Sequence, residues 1–313
     1  MNDNTKATMN NNQHISIAIA TYNGEKYLQE QLESILNQTL EPSEILIVDD
    51  CSTDGTWQVL KLYAEKYPYI KIYQNKQNLG VCQTFNRAIG LTTGDYIALA
   101  DQDDVWLANK LAVLLENIGG SLLIHSDAFI VDKNLNIISN TFIKGVMNQQ
   151  NFIDYLFANN VTGCTCMFAR DLISKSFPMP DFYIHDHYLA ISASYLGIIK
   201  YLPQPLIYYR QHSQNQIGEN TQVGFEKFIS ARKIVGNSLK SMSTHPTFAT
   251  ISQQINLIAD YHLSIAAGHW RSEHNILSLL RLKKGIKYLI SFYILTGFGN
   301  ANLAHKLYNW LKK

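Results

Sequence analysis

A chain of 313 residues, 46% of them apolar, is long enough for one large α/β domain and a smaller appendage. Its formal net charge of +1 excludes general nucleic-acid binding, which needs a basic face. Four cysteines, Cys51, Cys82, Cys164 and Cys166, form no pair of CxxC units, which argues against a zinc knuckle and fits free thiols in a reducing cytoplasm.

Residues 1–14 are polar and Asn-rich with no apolar h-region, so they are not a signal peptide and are expected to be a disordered lead-in. A strand is then expected from Ile15 to Ala20, followed by a helix carrying Leu28, Leu32, Ile35 and Leu36 at helical spacing. Ile45 to Val48 is short and wholly apolar, as a strand buried on both faces is. A turn at residues 52–55 leads into a helix whose inner face is Val59, Leu60, Tyr63 and Ala64. A strand at 70–73, a helix at 81–91, and strands at 96–100 and 122–124 follow. This β-α-β-α order predicts a mainly parallel sheet with helices on both faces. Strand signals fade after about Gly218, and helices are expected around Phe228, Val235, Leu239 and Met242, around Ile251, Ile255 and Ile258, and around Leu303, Leu307, Trp310 and Leu311. The division expected is a lead-in at 1–14, an α/β domain at 15–218 and a helical region at 219–313.

The last segment is electrostatically distinct. Residues 270–313 hold eight Lys or Arg against one acid, +7, which leaves −6 on the rest. Such a tail suits an anionic partner, and a solvated helical face is the plainer alternative. The longest nearly uncharged apolar run, residues 288–298, falls short of the roughly 20 residues a spanning helix needs. The expectation is a chain that does not cross a membrane but can rest on an anionic face through Phe292, Trp310 and Leu311, or else uses that segment as a helical dimer interface.

Ligands of open α/β sheets bind beyond the carboxyl ends of the strands. Here three expected strands end in polar clusters: Thr21-Tyr22-Asn23-Gly24, Asp49-Asp50 and Asp101-Gln102-Asp103-Asp104. Massed carboxylates repel unless a cation or donors neutralise them. Asp101 and Asp103, two apart, point to one side of an extended chain and can share a hard cation with a substrate's phosphates. A capping turn before a helix at Leu107 is the structural alternative, for which Asp104 is well suited. Asp49 and Asp50 can accept from a base N–H or a ribose hydroxyl, and Tyr22 can pack on a base; a plain turn and a loop aromatic are the corresponding alternatives. No GxGxxG follows the first strand and no GxxxxGK[ST] occurs, which weighs against dinucleotide and P-loop folds.

Taken in order, the string from Ile17 to Gly24, Gln38-Thr39, Val48-Asp49-Asp50-Cys51-Ser52-Thr53-Asp54-Gly55-Thr56, Asn78-Leu79-Gly80, Gly94-Asp95-Tyr96 and Asp101 to Trp106 resembles the family 2 glycosyltransferases of GT-A fold. The match runs from about Ile15 to Gly218. It implies that Tyr22 and Asp50 contact the nucleobase of a nucleotide-diphospho-sugar, with Thr21, Asn23, Asp49, Gln102 and Arg210 around the donor. It also implies that Asp101 faces the ribose or the metal, and that Asp103 ligates a divalent cation, Mg²⁺ or Mn²⁺, on the diphosphate. His185-Asp186 stands where the family keeps its catalytic Asp, so Asp186 would be the general base. Tyr209-Arg210-Gln211-His212, with Asn215 and Gly218, is similar to the loop that closes over the donor, with His212 as a third metal or phosphate ligand. Gly163-Cys164-Thr165 is similar to the acceptor-side loop, and Asp127 lies near a sugar or caps a turn. A polar surface cluster and a His-Asp-His zinc site, from His185, Asp186 and His187, remain as alternatives.

Within the family, Ser126-Asp127, His185-Asp186 and the 209–212 segment are similar to bacterial rhamnosyltransferases of surface polysaccharide synthesis, although His187-Tyr188 replaces the aromatic pair frequent in them. The resemblance implies an inverting transfer from dTDP-rhamnose to a glycan or lipid-linked acceptor on the cytoplasmic side of the membrane. A UDP-hexose donor, a catalytically silent sugar-nucleotide-binding module, and a nucleotidyltransferase are the competing readings.

Overall fold

The computed structural model describes residues 13–143, 152–157, 159–212 and 225–267. Residues 1–12 of the lead-in, Asn215, Gly218, the basic segment 270–313 and the helix expected around Leu303 lie outside these residues, as does the Phe228 side chain. The chain divides into two compact units, residues 1–221 and 222–313.

In the first unit β1 (Ile15–Thr21), α1 (Glu25–Leu36), β2 (Glu44–Asp49), α2 (Thr56–Lys66), β3 (Ile70–Gln74), α3 (Val81–Leu91) and β4 (Tyr96–Ala100) alternate strictly. Every residue of β2 is buried, and only Ala20 of β1 is less than fully so, because helices cover both faces of a parallel sheet. The inner face of α1 is Tyr27, Leu28, Gln31, Leu32 and Ile35, a helical stripe that packs into the core with Ile17, Ile19, Ile45 and Ile47.

The remainder departs from this pattern. It contains β5 (Val105–Trp106), α4 (Lys110–Ile118), β6 (Leu123–Val131), β7 (Ile137–Ser139), α5 (Phe152–Phe157), a 3-10 turn at Gly163–Thr165, β8 (Cys166–Ala169), α6 (Arg170–Ser176), α7 (His185–Leu196) and β9 (Ile199–Arg210). The strands form one sheet in the order β3-β2-β1-β4-β8-β6-β9-β5, with β7 on β6. From β3 to β4 the pairing is parallel, as expected; β8 is antiparallel to both β4 and β6, β9 is parallel to β6, and β5 is antiparallel to β9. The mainly parallel expectation therefore holds for one half of an α/β GT-A sheet, and the other half is mixed. β8 has four residues and β5 two, too short to show a period, and β9 carries Pro203 and Pro205 at register breaks with β6.

The second unit holds α8 (Phe225–Ser243) and α9 (Ser252–Ala266), at the two helical patterns described above. Leu239 and Met242 of α8 are buried, as are Ile255 and Ile258 of α9, and Lys240 pairs with Asp260 at 2.8 Å.

The strand order locates the cleft. From β1 the chain steps outward to β2 and β3, then α3 carries it back to β4 on the other side of β1. The connections after β1 and after β3 thus run in opposite directions along the sheet, and the order reverses between β1 and β4, where an open sheet leaves a crevice beyond the carboxyl ends.

Candidate active site

Three loops meet at that crevice, after β1, β2 and β4. Parallel register sets Thr21 beside Asp49, and the backbone continues the ladder from Asp50 N–H to the Thr21 carbonyl at 2.7 Å. The two adjacent aspartates have different surroundings. Asp49 is fully buried and accepts from the Thr21 hydroxyl (3.1 Å), the Ser52 hydroxyl (2.5 Å), the Ser52 N–H (3.0 Å) and the Gln74 amide (2.9 Å). Four donors fill the roughly four lone-pair sites of a carboxylate. Asp50 accepts three, from Asn75 Nδ2 at 2.7 Å and the N–H groups of Leu79 and Gly80 at 2.8 Å each, which leaves one acceptor site. Those bonds fasten the loop before α3, where Gly80 has φ +83°, a conformation that favours glycine.

The loop after β1 is held from two sides. Gln102 grips Tyr22 by its backbone, accepting its N–H at 2.8 Å and donating to its carbonyl at 3.0 Å, so the ring stays exposed. Asn23, at φ +49°, donates its N–H to Ser52 Oγ and accepts from Thr53 N–H through its side chain.

The loop after β4 carries the acids. Asp103 Oδ2 and His212 Nε2 converge at 2.9 Å, at the start of β5 and the end of β9, and Tyr27 packs against the His212 ring at a 4.8 Å centroid separation. Asp101, Asp104 and Cys164 form a second group whose ligand-type atoms lie within 4.8 Å of one another. Burial and the neighbouring Asp103 charge push the Asp101 carboxyl up, and the same causes with Asp101's own charge push Asp104 well up. Asp104 Oδ1 accepts Arg210 N–H at 3.1 Å, while Oδ2 has no hydrogen-bond partner among the described residues. Lys110 is buried beside them, donates to the Cys164 carbonyl at 2.5 Å and lies 3.5 Å from the Trp106 ring centre. Burial lowers its pKa to about 8.

Several side chains expected at the donor are engaged within the protein instead. Thr21 and Asp49 bond each other, Asn23 and Gln102 brace the tyrosine loop, and Arg210 is 2% exposed. The Arg210 guanidinium binds the Asp103 and Lys133 carbonyls at 2.7 and 2.8 Å and the Glu30 carboxylate, and stacks 4.6 Å from the Tyr27 ring centre. In this structure the five are held by protein partners: Thr21, Asp49 and Arg210 are buried, Gln102 is half-buried and Asn23 is exposed. The alternative of Asp104 as a helix cap does not hold: the position before α4 is Asn109.

Asp186 sits in the first turn of α7, 8% exposed, and accepts from Asn159 Nδ2 at 2.9 Å and from Gly163 N–H at 3.2 Å. Burial raises its pKa to about 7 against these two bonds, and Asp101 is close enough to add to the rise. The Gly163–Thr165 turn thus touches both centres, with its first N–H on Asp186 and its Cys164 beside Asp101 and Asp104. His187 does not join a zinc site with Asp186, since its ring nitrogens meet the Tyr183 hydroxyl and the Tyr155 carbonyl, each at 2.5 Å. Asp127 takes the turn-capping alternative, accepting from the N–H groups of Ala128, Phe142 and Ile143.

Sequence reasoning missed Lys110, Asn159 and the Cys164 group. Nothing in a lone Lys after Asn109 marks it as buried, and Asn159 meets Asp186 only across the fold. The donor set of the crevice suits a divalent cation, because two carboxylates and an imidazole are hard to borderline ligands and two of the ligating atoms already converge.

A family model described as glycosyl transferase family 2 matches residues 16–177. An uncharacterized glycosyltransferase of Haemophilus influenzae is 28% identical over 215 residues, 63% of this chain and 65% of that protein, so the chain spans less than two thirds of its length. The dTDP-rhamnosyl transferase RfbG of Shigella flexneri is 30% identical over 219 residues, 64% of this chain and 74% of that one. Staphylococcus aureus TarS 1-349 in complex with UDP-GlcNAc superposes with a TM-score of 0.56 at 20% identity, covering 80% of this chain and 73% of that chain, which is a likeness of fold.

Proposed function

The chain belongs to glycosyl transferase family 2, and from that premise we propose that it moves a sugar from a nucleotide-diphospho-sugar to a hydroxyl of a glycan or lipid-linked acceptor, with inversion, in the building of a cell-surface polysaccharide. The observation that carries this reading is Asp186: a buried carboxylate with a pKa near 7, fixed by Asn159 and Gly163 and within electrostatic reach of the acids after β4. A base is most effective when its pKa lies near the working pH. Asp186 accepts the acceptor's proton as the hydroxyl oxygen attacks the anomeric carbon and the nucleoside diphosphate departs from the opposite face.

Asp50 keeps one acceptor site for a base N–H, and the exposed Tyr22 ring offers a face for the base to pack on. Asp103 and His212 would hold a divalent cation, Mg²⁺ or Mn²⁺, with Asp101 beside them. Once bound, the cation supplies positive charge that stabilises the leaving diphosphate. Arg210, Gln102, Asp49, Thr21 and Asn23 hold the rim in shape. For the sugar we infer L-rhamnose from dTDP-rhamnose; the support is the motif resemblance and the likeness to RfbG.

Thermal unfolding with dTDP-, UDP- and GDP-sugars, each with Mg²⁺ or Mn²⁺, tests the reading alongside mass spectrometry of the products. The expected result is cation-dependent stabilisation by dTDP-rhamnose, lost in Asp103→Ala, and a new glycoside. Stabilisation by another donor corrects the sugar; binding without product favours the silent module; pyrophosphate release favours a nucleotidyltransferase.

We also propose that the chain works at the cytoplasmic face of the membrane, held there through residues 270–313. Among the described residues no helix is long and apolar enough to cross a membrane. Equal liposome flotation of the full chain and a chain truncated at residue 270 would remove this part of the proposal.

A further inference from the structure

We propose that His185 is a specificity-determining residue that hydrogen-bonds a sugar hydroxyl beside Asp186; this rests on the function proposed above. His185 opens α7, one residue before Asp186, and is 5% exposed. Neither of its ring nitrogens has a hydrogen-bond partner among the described residues. Buried polar groups nearly always find partners, and two orphaned nitrogens on one ring lower stability for as long as they stay orphaned.

The surroundings are not loose. The imidazole stacks on Phe85 of α3 with centroids 4.0 Å apart at 27°. Asn86, next to Phe85, is tied to both the carbonyl and the N–H of Met179 in the stretch before α7, at 3.2 and 3.0 Å. His187 is bound at both nitrogens. The ring therefore stays where it is while its hydrogen-bonding edge lacks a partner.

That edge faces the acceptor-side turn. A Cβ on Gly163 would stand 2.5 Å from His185 Nε2, so the ring abuts the residue whose N–H holds Asp186. Burial also keeps the imidazole uncharged at neutral pH, its pKa near 3. A neutral imidazole offers one donor and one acceptor, as a hydroxyl does. A site that pairs a substrate hydroxyl in this way discriminates strongly against sugars lacking it. Phe85 belongs to α3, whose start is clamped by Asp50, so the ring stands between the donor-side helix and the base.

The test compares wild type with His185→Leu, close in volume but without nitrogens, and with His185→Asn and His185→Gln, which restore an amide near Nδ1 or Nε2 respectively. Two arms separate the source of the hydroxyl. In the first, calorimetry with Mn²⁺ measures the affinities of UDP against UDP-glucose and of dTDP against dTDP-rhamnose. In the second, sugar transfer from the same donors to a lipid-linked diphospho-GlcNAc is compared with donor hydrolysis by water. The expected result is that His185→Leu binds UDP and dTDP as wild type does but loses about tenfold or more, the size of one lost hydrogen bond to a substrate hydroxyl, in one arm. One amide variant recovers part of the loss, which a histidine that only packs would not give, and the melting temperature of His185→Leu is at or above wild type because no hydrogen bond is lost. His185→Leu within twofold of wild type in both arms overturns the proposal alone. A wild type that binds none of the four nucleotides overturns it together with the function on which it rests.

Discussion

The carboxylates around the cleft fall into two groups with opposite surroundings. At the ends of β1 and β2, Asp49 has four donors and Asp50 three, all from the protein. At the seam with the mixed half, Asp104 and Asp186 are buried and Asp101 half-buried, with fewer partners, and their pKa values rise. Saturated carboxylates make rigid scaffolding. Under-satisfied ones keep a proton, a cation or a substrate group within reach. Under the proposed function, the loops after β1 and β2 would seat the nucleotide and the group around Asp101, Asp104 and Asp186 would carry the chemistry.

Substitutions can break this contrast, beginning where the expected effect is greatest. Asp186→Asn should lower sugar transfer by about 10²–10⁴-fold while donor affinity by calorimetry stays unchanged. A loss below tenfold would place the base elsewhere. In the wild type, kcat/KM should rise as pH passes through about 7, when Asp186 gives up its proton. Stability should move the other way. The folded pKa lies above the unfolded value of about 3.9, so between these pH values the native state holds the extra proton and stability falls as pH rises. Urea titrations at pH 5 and 8 should show this decline in wild type and a smaller one in Asp186→Asn.

Arg210→Ala removes the stitch between the Asp103 loop, Lys133 and Glu30 and should lower unfolding free energy by about 3 kcal/mol. Arg210→Lys should recover little, since an ammonium lacks the fork. Asp49→Ala strands donors from Thr21, Ser52 and Gln74 and should lower it by about 2 kcal/mol, with any fall in transfer tracking the unfolded fraction. An Asp49→Ala protein of native stability that no longer binds nucleotide would put this residue back among the ligand contacts. Gln102→Ala should be mildest, about 1 kcal/mol, and should show mainly as a more mobile Tyr22 in fluorescence anisotropy.

The first four strands and their helices were legible because each has a period or an unbroken apolar run, and the polar clusters at their ends follow from chain order. β8, β5 and the long β9 were less legible: short strands carry no period, and β9 has no alternating burial, carries two prolines and pairs with strands distant in the chain. Residue type also failed to separate Asp49 from Asp50. The number of donors around each decides that, and those donors come from β1, β3 and the loop before α3.

The amino-acid sequence alone determined the α/β alternation and the acidic strand ends, because periodicity and motif spacing are properties of neighbouring residues; Asp186 was singled out only by the family resemblance. Only the tertiary structure decided which of the acids are satisfied, which protein groups Arg210 and Gln102 bond, and that Lys110 and His185 are buried beside the site. Burial and partner count depend on segments far apart in the chain, and those two quantities set pKa and hydrogen-bonding capacity.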